Sequence, residues 1–170
     1  MAADKITIER IKTLHPKIRK EVSDMYNYVN EKLLGKGVRL RFAYTYRTPE
    51  EQDKLFKQKP KVTNAKAWQS VHQYGLAFDI VLLLDKNNDG VFEEASWDIR
   101  ADWDKDDTPD WSEVRDYFKS KEWSYGGDWT GNLKDYPHFE KKFQLSVSQM
   151  KQKIDSGNYV IENNIKYINL

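Results

Sequence analysis

The run Ser70-Val71-His72-Gln73-Tyr74-Gly75-Leu76-Ala77-Phe78-Asp79 decides how this chain is read. Gly75 and the small Ala77 allow a tight turn after His72, and Phe78 to Leu84 continues almost wholly apolar, as a buried strand does. Asp79 interrupts that run. A carboxylate at the head of a core strand is costly unless it is paired or bound to a metal, and His72, across the predicted turn, is placed to face the same ion. Further along, Asp135-Tyr136-Pro137-His138 supplies a second imidazole and a second acid, with Pro137 stiffening the link between them. This is the inventory of a catalytic zinc site: two imidazoles and one carboxylate as ligands, a fourth position open, and a further carboxylate to move protons.

Outward from that motif the chain alternates helix and strand signals. Ile18, Val22, Met25, Val29 and Leu33 recur at helical spacing behind Pro16, and Gly35 stops the run, which predicts a first long helix. Val38, Leu40, Phe42 and Tyr44 alternate as a half-buried strand that delivers Arg47 to its end. Thr48-Pro49-Glu50-Glu51 is a capping box that opens a short helix to about Lys57, followed by a polar loop from Lys59 to Trp68. Thr108-Pro109 opens another helix with Trp111, Val114 and Phe118 as its core stripe. Trp123 to Tyr125 and Pro137 to Phe139 read as short strands flanking a glycine turn. The expected fold class is α+β, a small mixed or antiparallel sheet with helices packed on it.

The spaced residues resemble a known family. Ser-x-His-x-x-Gly-x-Ala-x-Asp followed by Asp or Glu, two residues and His is the pattern of the zinc peptidases that unite D-Ala-D-Ala carboxypeptidases and dipeptidases, L-alanyl-D-glutamate endopeptidases and the Hedgehog signalling domain, and every fixed position is present. Tyr46-Arg47-Thr48 with Glu51-Gln52, and Trp123-Ser124-Tyr125-Gly126-Gly127-Asp128-Trp129, extend the resemblance over roughly residues 5 to 145. The Gly-Gly-Asp-Trp stretch and an aspartate before the last histidine look most like the L-alanyl-D-glutamate peptidases, phage endolysins included. The resemblance implies a Hedgehog/DD-peptidase-like fold and zinc held by His72, Asp79 and His138. It makes Asp135 the general base, and Arg47 the binder of a substrate carboxylate or the developing oxyanion. The implied substrate is the L-Ala to D-Glu bond of peptidoglycan stem peptides. A D,D-carboxypeptidase or dipeptidase with the same centre is the rival enzyme, and a catalytically silent, metal-stabilised binding domain is the alternative from another class.

Plainer readings stand beside these. Asp135 also fits a cap on the Tyr-Pro turn, and Arg47 a surface partner of Glu50 or Glu51. Ser70 reads as a hydrogen-bonding prop for the metal loop, since no base accompanies it. His15, just before Pro16, reads as structural. Asp85-Lys86-Asn87-Asn88-Asp89-Gly90 starts as a calcium loop starts, with Asp85, Asn87 and Asp89 as candidate ligands, but Ser96 stands where a bidentate glutamate belongs. A solvated Asn-Asp-Gly turn explains the same residues. Trp97, Trp103 and Asp102 to Asp107 extend this insertion into an acidic, aromatic loop.

Composition bounds the rest. A chain of 170 residues suits one domain, 1–170, with a catalytic core at about 5–145 and an extension at 146–170 docked on it. Within the extension, Val147, Met150 and Ile154 suggest a short helix ended by Gly157, then a segment of strand character. The net charge of +1 points to neither nucleic acid nor an anionic membrane as a partner, and the chain is expected to be a monomer. No cysteine is present, so metal ligands must be nitrogen and oxygen. No apolar targeting segment appears. The expectation is a protein made without a signal peptide that reaches the cell wall after release, by a phage holin or by lysis.

Overall fold

The computed structural model describes residues 4–170. The central element is β2 (Ala77–Leu84), in which every residue but Asp79 is buried. Along one edge it pairs antiparallel with β1 (Val38–Tyr44), whose alternating burial reproduces the predicted half-buried strand. The other edge is shared: β5 (His138–Glu140) pairs with Ala77 to Asp79, and β3 (Glu94–Ser96) with Leu82 to Leu84. β4 (Ser124–Tyr125) completes the sheet beside β5. Every pairing is antiparallel, which resolves the two sheet types left open by the sequence.

Among the described residues five α-helices accompany the sheets, so the fold is α+β. The helix α1 (Lys5–Lys12), which the sequence reading did not anticipate, is capped by Asp4. The same carboxylate receives two bonds from Arg41 of β1, at 2.9 and 2.7 Å, and so pins the helix to the sheet. The predicted long helix is α2 (Pro16–Tyr28), continued by a wider π-helical turn over Val29–Leu33 that closes with Leu34 N–H donating to the Val29 carbonyl. α3 (Pro49–Lys57) has the predicted capping box. α4 (Asp110–Ser120) buries Trp111, Val114 and Phe118.

Phe78 organises the core. Its ring stacks on Phe42 at 4.5 Å, meets Phe118 edge-on at 5.5 Å and contacts Trp123 at 4.6 Å. Consecutive strand residues point to opposite faces, so the residue that anchors the core aims its successor, Asp79, away from it. Emptying such a site by Phe78→Ala would cost about 3–5 kcal/mol.

The extension folds as α5 (Val147–Asp155) and a hairpin of β6 (Tyr159–Glu162) and β7 (Ile165–Ile168). Met150, Ile154 and Ile168 join the main core. His15 accepts the Lys17 N–H at Nδ1, so its Nε2 carries the proton and donates to the Ile168 carbonyl at 2.8 Å. This histidine is a tie between the hairpin and the loop ahead of α2.

Candidate metal centre

Three elements bring the centre together. His72 lies in the 3-10 turn Val71–Tyr74, which Ser70 opens: its main-chain N–H donates to the Gln73 side chain at 3.2 Å. Gly75 closes the turn with φ of +67°, and a Cβ there would come within 2.7 Å of the His15 nitrogen, so only glycine fits. Asp79 is the third residue of β2, and His138 opens β5 directly opposite it in the ladder. Strand register therefore makes two ligands neighbours although 59 positions separate them.

The facing atoms are His72 Nε2, Asp79 Oδ1 and His138 Nδ1. Their separations are 3.2 Å between the two nitrogens, 3.2 Å from His72 to Asp79 and 3.1 Å from His138 to Asp79. A tetrahedral ion with bonds near 2.0–2.1 Å has ligand–ligand edges of about 3.3 Å. The distal nitrogens decide what the facing ones offer. His72 Nδ1 lies 2.6 Å from the Thr45 carbonyl and His138 Nε2 lies 3.1 Å from Glu140 Oε2, both pure acceptors. In the neutral rings both distal nitrogens must carry the proton, which turns two lone pairs and a carboxylate oxygen toward one point. Three acceptors so placed fit a cation. Without one, a proton has to serve: burial disfavours a charged His138, but Asp79 and Glu140 outweigh it and push the imidazole up to about 9. Burial likewise opposes a charged Asp79, yet His72 and His138 hold its carboxyl well below the usual range.

Asp135 and Arg47 frame the centre. Asp135 lies on the exposed turn whose carbonyl accepts the His138 N–H at 3.2 Å. Partial burial of its carboxyl and the charge of Asp79 push its pKa up, against the pull of His138, His72 and Arg47. Gly126 lets this turn close in, because a Cβ there would sit 2.4 Å from the Asp135 carbonyl oxygen. The Arg47 N–H donates to the His72 carbonyl, its guanidinium donates to Gln52 Oε1 at 3.0 Å, and it stands 4.0 Å from Asp79 Oδ2. Its partners are thus in the centre rather than at Glu50 or Glu51.

Two supporting residues had no role in the sequence reading. Glu140 orients His138 while Lys142 binds its other oxygen at 2.7 Å. Strand alternation was the available signal, since residues 138 and 140 share a face. Gln52, wholly buried, steadies Arg47 and is itself held by the Ala65 carbonyl at 2.7 Å. The Asp85–Gly90 loop lies outside the centre: Asp85 accepts the Asp89 and Gly90 N–H groups, and Asp89 accepts that of Val91.

Comparison with known proteins agrees with the motif. Residues 63–141 match the family described as D-alanyl-D-alanine carboxypeptidase. The chain is 37% identical over 110 residues to the peptidoglycan L-alanyl-D-glutamate endopeptidase CwlK of Bacillus subtilis (strain 168), an alignment covering 62% of each protein. The chain thus spans about 62% of the length of this curated relative. In three dimensions it resembles the crystal structure of the Serratia marcescens L-Ala D-Glu endopeptidase ChiX, with a TM-score of 0.55 and 19% identity over 85% of this chain and 92% of that one. The resemblance read from the motif therefore holds in sequence, and the α+β fold holds in space.

Proposed function

We propose, for a chain whose residues 63–141 carry the D-alanyl-D-alanine carboxypeptidase pattern, that it is a zinc-dependent endopeptidase cleaving the L-Ala to D-Glu bond of peptidoglycan stem peptides. The observation that carries the hydrolase reading is the convergence of His72 Nε2, Asp79 Oδ1 and His138 Nδ1 within 3.1–3.2 Å of one another, beside Asp135 and Arg47. The choice of bond is supported by the 37% identity to CwlK.

His72, Asp79 and His138 would hold the metal, with Thr45 and Glu140 fixing the two imidazoles. Zinc, when bound, supplies a Lewis acid that polarises the scissile carbonyl and makes a water acidic. Asp135 takes the proton of the attacking water and returns it to the leaving amine; its raised pKa suits a group that must both accept and release. Neutral Gln52 fixes the Arg47 guanidinium fork without cancelling its charge. That fixed charge meets a substrate carboxylate or the oxyanion as it develops. Among the described residues no helix is long and apolar enough to cross a membrane.

The second reading, a D,D-carboxypeptidase, is favoured by the description of the matching family. Digestion of purified muropeptides with the zinc-loaded chain, followed by mass spectrometry of the new termini, separates the two. A freed D-Glu amine is expected. Release of D-Ala would transfer the assignment to the rival, and no hydrolysis of any muropeptide would leave a metal-stabilised binding domain.

A further inference from the structure

Away from the His–Asp–His centre, the described residues hold two more convergences of acidic oxygens: Asp102, Asp104 and Asp110, and Asp104, Asp106 and Glu113, with ligand atoms within 4.8 Å of one another in each. They share Asp104 and form one cluster in the run Asp102-Trp103-Asp104-Lys105-Asp106-Asp107-Thr108-Pro109-Asp110-Trp111-Ser112-Glu113. Numbered from Asp102, the acids fall at the first, third, fifth, ninth and twelfth places, with Thr108 seventh. These are the places from which a twelve-residue calcium loop draws its oxygens: side chains throughout, a main-chain carbonyl at the seventh and a bidentate glutamate at the twelfth.

Burial without partners is the independent sign that a ligand belongs here. Asp110 is completely buried, takes part in no ion pair among the described residues, and has a carboxylate oxygen aimed into the cluster. Its Oδ2 accepts the Trp103 N–H at 2.7 Å, while its Oδ1 has no hydrogen-bond partner at all. Asp104 Oδ1 and Glu113 Oε2 are buried and unpartnered as well. Buried carboxylate oxygens left in this condition are costly. Burial, reinforced by neighbouring acids, pushes Asp110 up to about 6 and Glu113 up to about 7. At neutral pH protons no longer fully relieve the cluster; a divalent cation does.

We propose that Asp102, Asp104, Asp106, Asp110 and Glu113, with the Thr108 carbonyl, bind one calcium ion. An all-oxygen set of five carboxylates on an irregular loop suits calcium, which accepts six to eight oxygens flexibly, better than magnesium, which demands a near-ideal octahedron. Two features depart from the usual loop. No helix leads into it, only the exit helix α4 being present, and Asp107 with φ of +73° occupies the sixth place, where glycine is usual. The ion would fasten the start of α4, where Trp111 Nε1 reaches the Tyr125 hydroxyl at 3.3 Å, to the turn at Gly35, whose N–H donates to Asp104 at 2.6 Å. Amides of the Asp85–Gly90 loop bond its own aspartates, as amides of the second loop bond Asp102 and Asp106, but among the described residues only the second loop leaves buried carboxylate oxygens without partners.

The test is calorimetric titration of calcium into the zinc-loaded full chain, with terbium emission sensitised by Trp103 and Trp111 as a second readout. One equivalent of calcium is expected, displacing terbium and raising the thermal midpoint. Asp110→Asn and Glu113→Gln should each weaken binding by roughly tenfold or more, because affinity in such loops follows ligand charge. Both should keep or raise the midpoint measured without calcium, since each removes a repelling charge. No binding to the wild type at about 1 mM calcium overturns the proposal, as does wild-type affinity in both variants. Binding abolished by Asp89→Asn but kept in Glu113→Gln also overturns it, by moving the ion to the Asp85–Gly90 loop.

Discussion

The His72–Asp79–His138 centre and the Asp102–Glu113 loop gather metal-binding atoms in opposite ways. The first draws on two distant parts of the chain, the short His72–Asp79 motif and His138, joined by strand register, and its distal nitrogens are satisfied by Thr45 and Glu140. The second draws on twelve consecutive residues and leaves buried oxygens of Asp104, Asp110 and Glu113 without partners. The scaffold holds the first arrangement before an ion arrives. In the second, folding brings like charges together, and an ion relieves them. A preorganised nitrogen and oxygen set suits catalysis, and a contiguous acidic loop suits stabilisation.

That contrast can be broken most forcefully at the ligands. His72→Ala or His138→Ala should remove both bound zinc and muropeptide cleavage while the fold remains, as read by metal analysis and circular dichroism; activity that survives either change would put the chemistry elsewhere. Asp135→Asn should lower kcat by about 10²–10⁴ with zinc content unchanged, because the residue moves protons and does not hold the metal. Glu140→Gln should cost about 10–100-fold in zinc affinity, measured by competition with a chelator, since it frees the His138 ring to turn.

The smallest effect belongs to the acidic loop and sharpens the difference. Asp110 and Glu113 have folded pKa values of about 6 and about 7, above their ordinary values of 3.8 and 4.5. A raised folded value means stability that is complete below the ordinary pKa and is lost as pH climbs through the folded one. The metal-free chain should therefore melt lower at about pH 8 than the same linkage allows at about pH 5. Glu113→Gln should remove part of that fall, worth on the order of 2–4 °C for each kcal/mol, and calcium should restore the wild type. Thermal scans of both proteins at the two pH values, with and without calcium, check this; an identical pH response in wild type and variant would contradict it.

What could be read in advance follows the same divide between local and assembled features. His72, Gly75, Ala77 and Asp79 lie within one short motif, so spacing alone announced their turn and strand, and the box at Thr48 marked the start of α3. Glu140 escaped notice, and Gln52 was marked only as a match without a role, because their roles depend on partners, His138 across a strand face and Arg47 across a helix start. The helix α1 has few buried positions of its own and is fixed by the tertiary pair of Asp4 and Arg41. Glycine drew attention to Asp85–Gly90, whereas the loop with a glutamate at its twelfth place hides its turn under Asp107, a residue type that tolerates positive φ.

Zinc-edge X-ray absorption on the zinc-loaded chain bears most directly on the central claim, that His72, Asp79 and His138 share one ion. Two imidazole nitrogens and light oxygen donors at about 2.0–2.2 Å are predicted, and the same preparation of His138→Ala should show no such site-bound zinc signal. A zinc environment with no imidazole, or one that His138→Ala leaves unaltered, would contradict it.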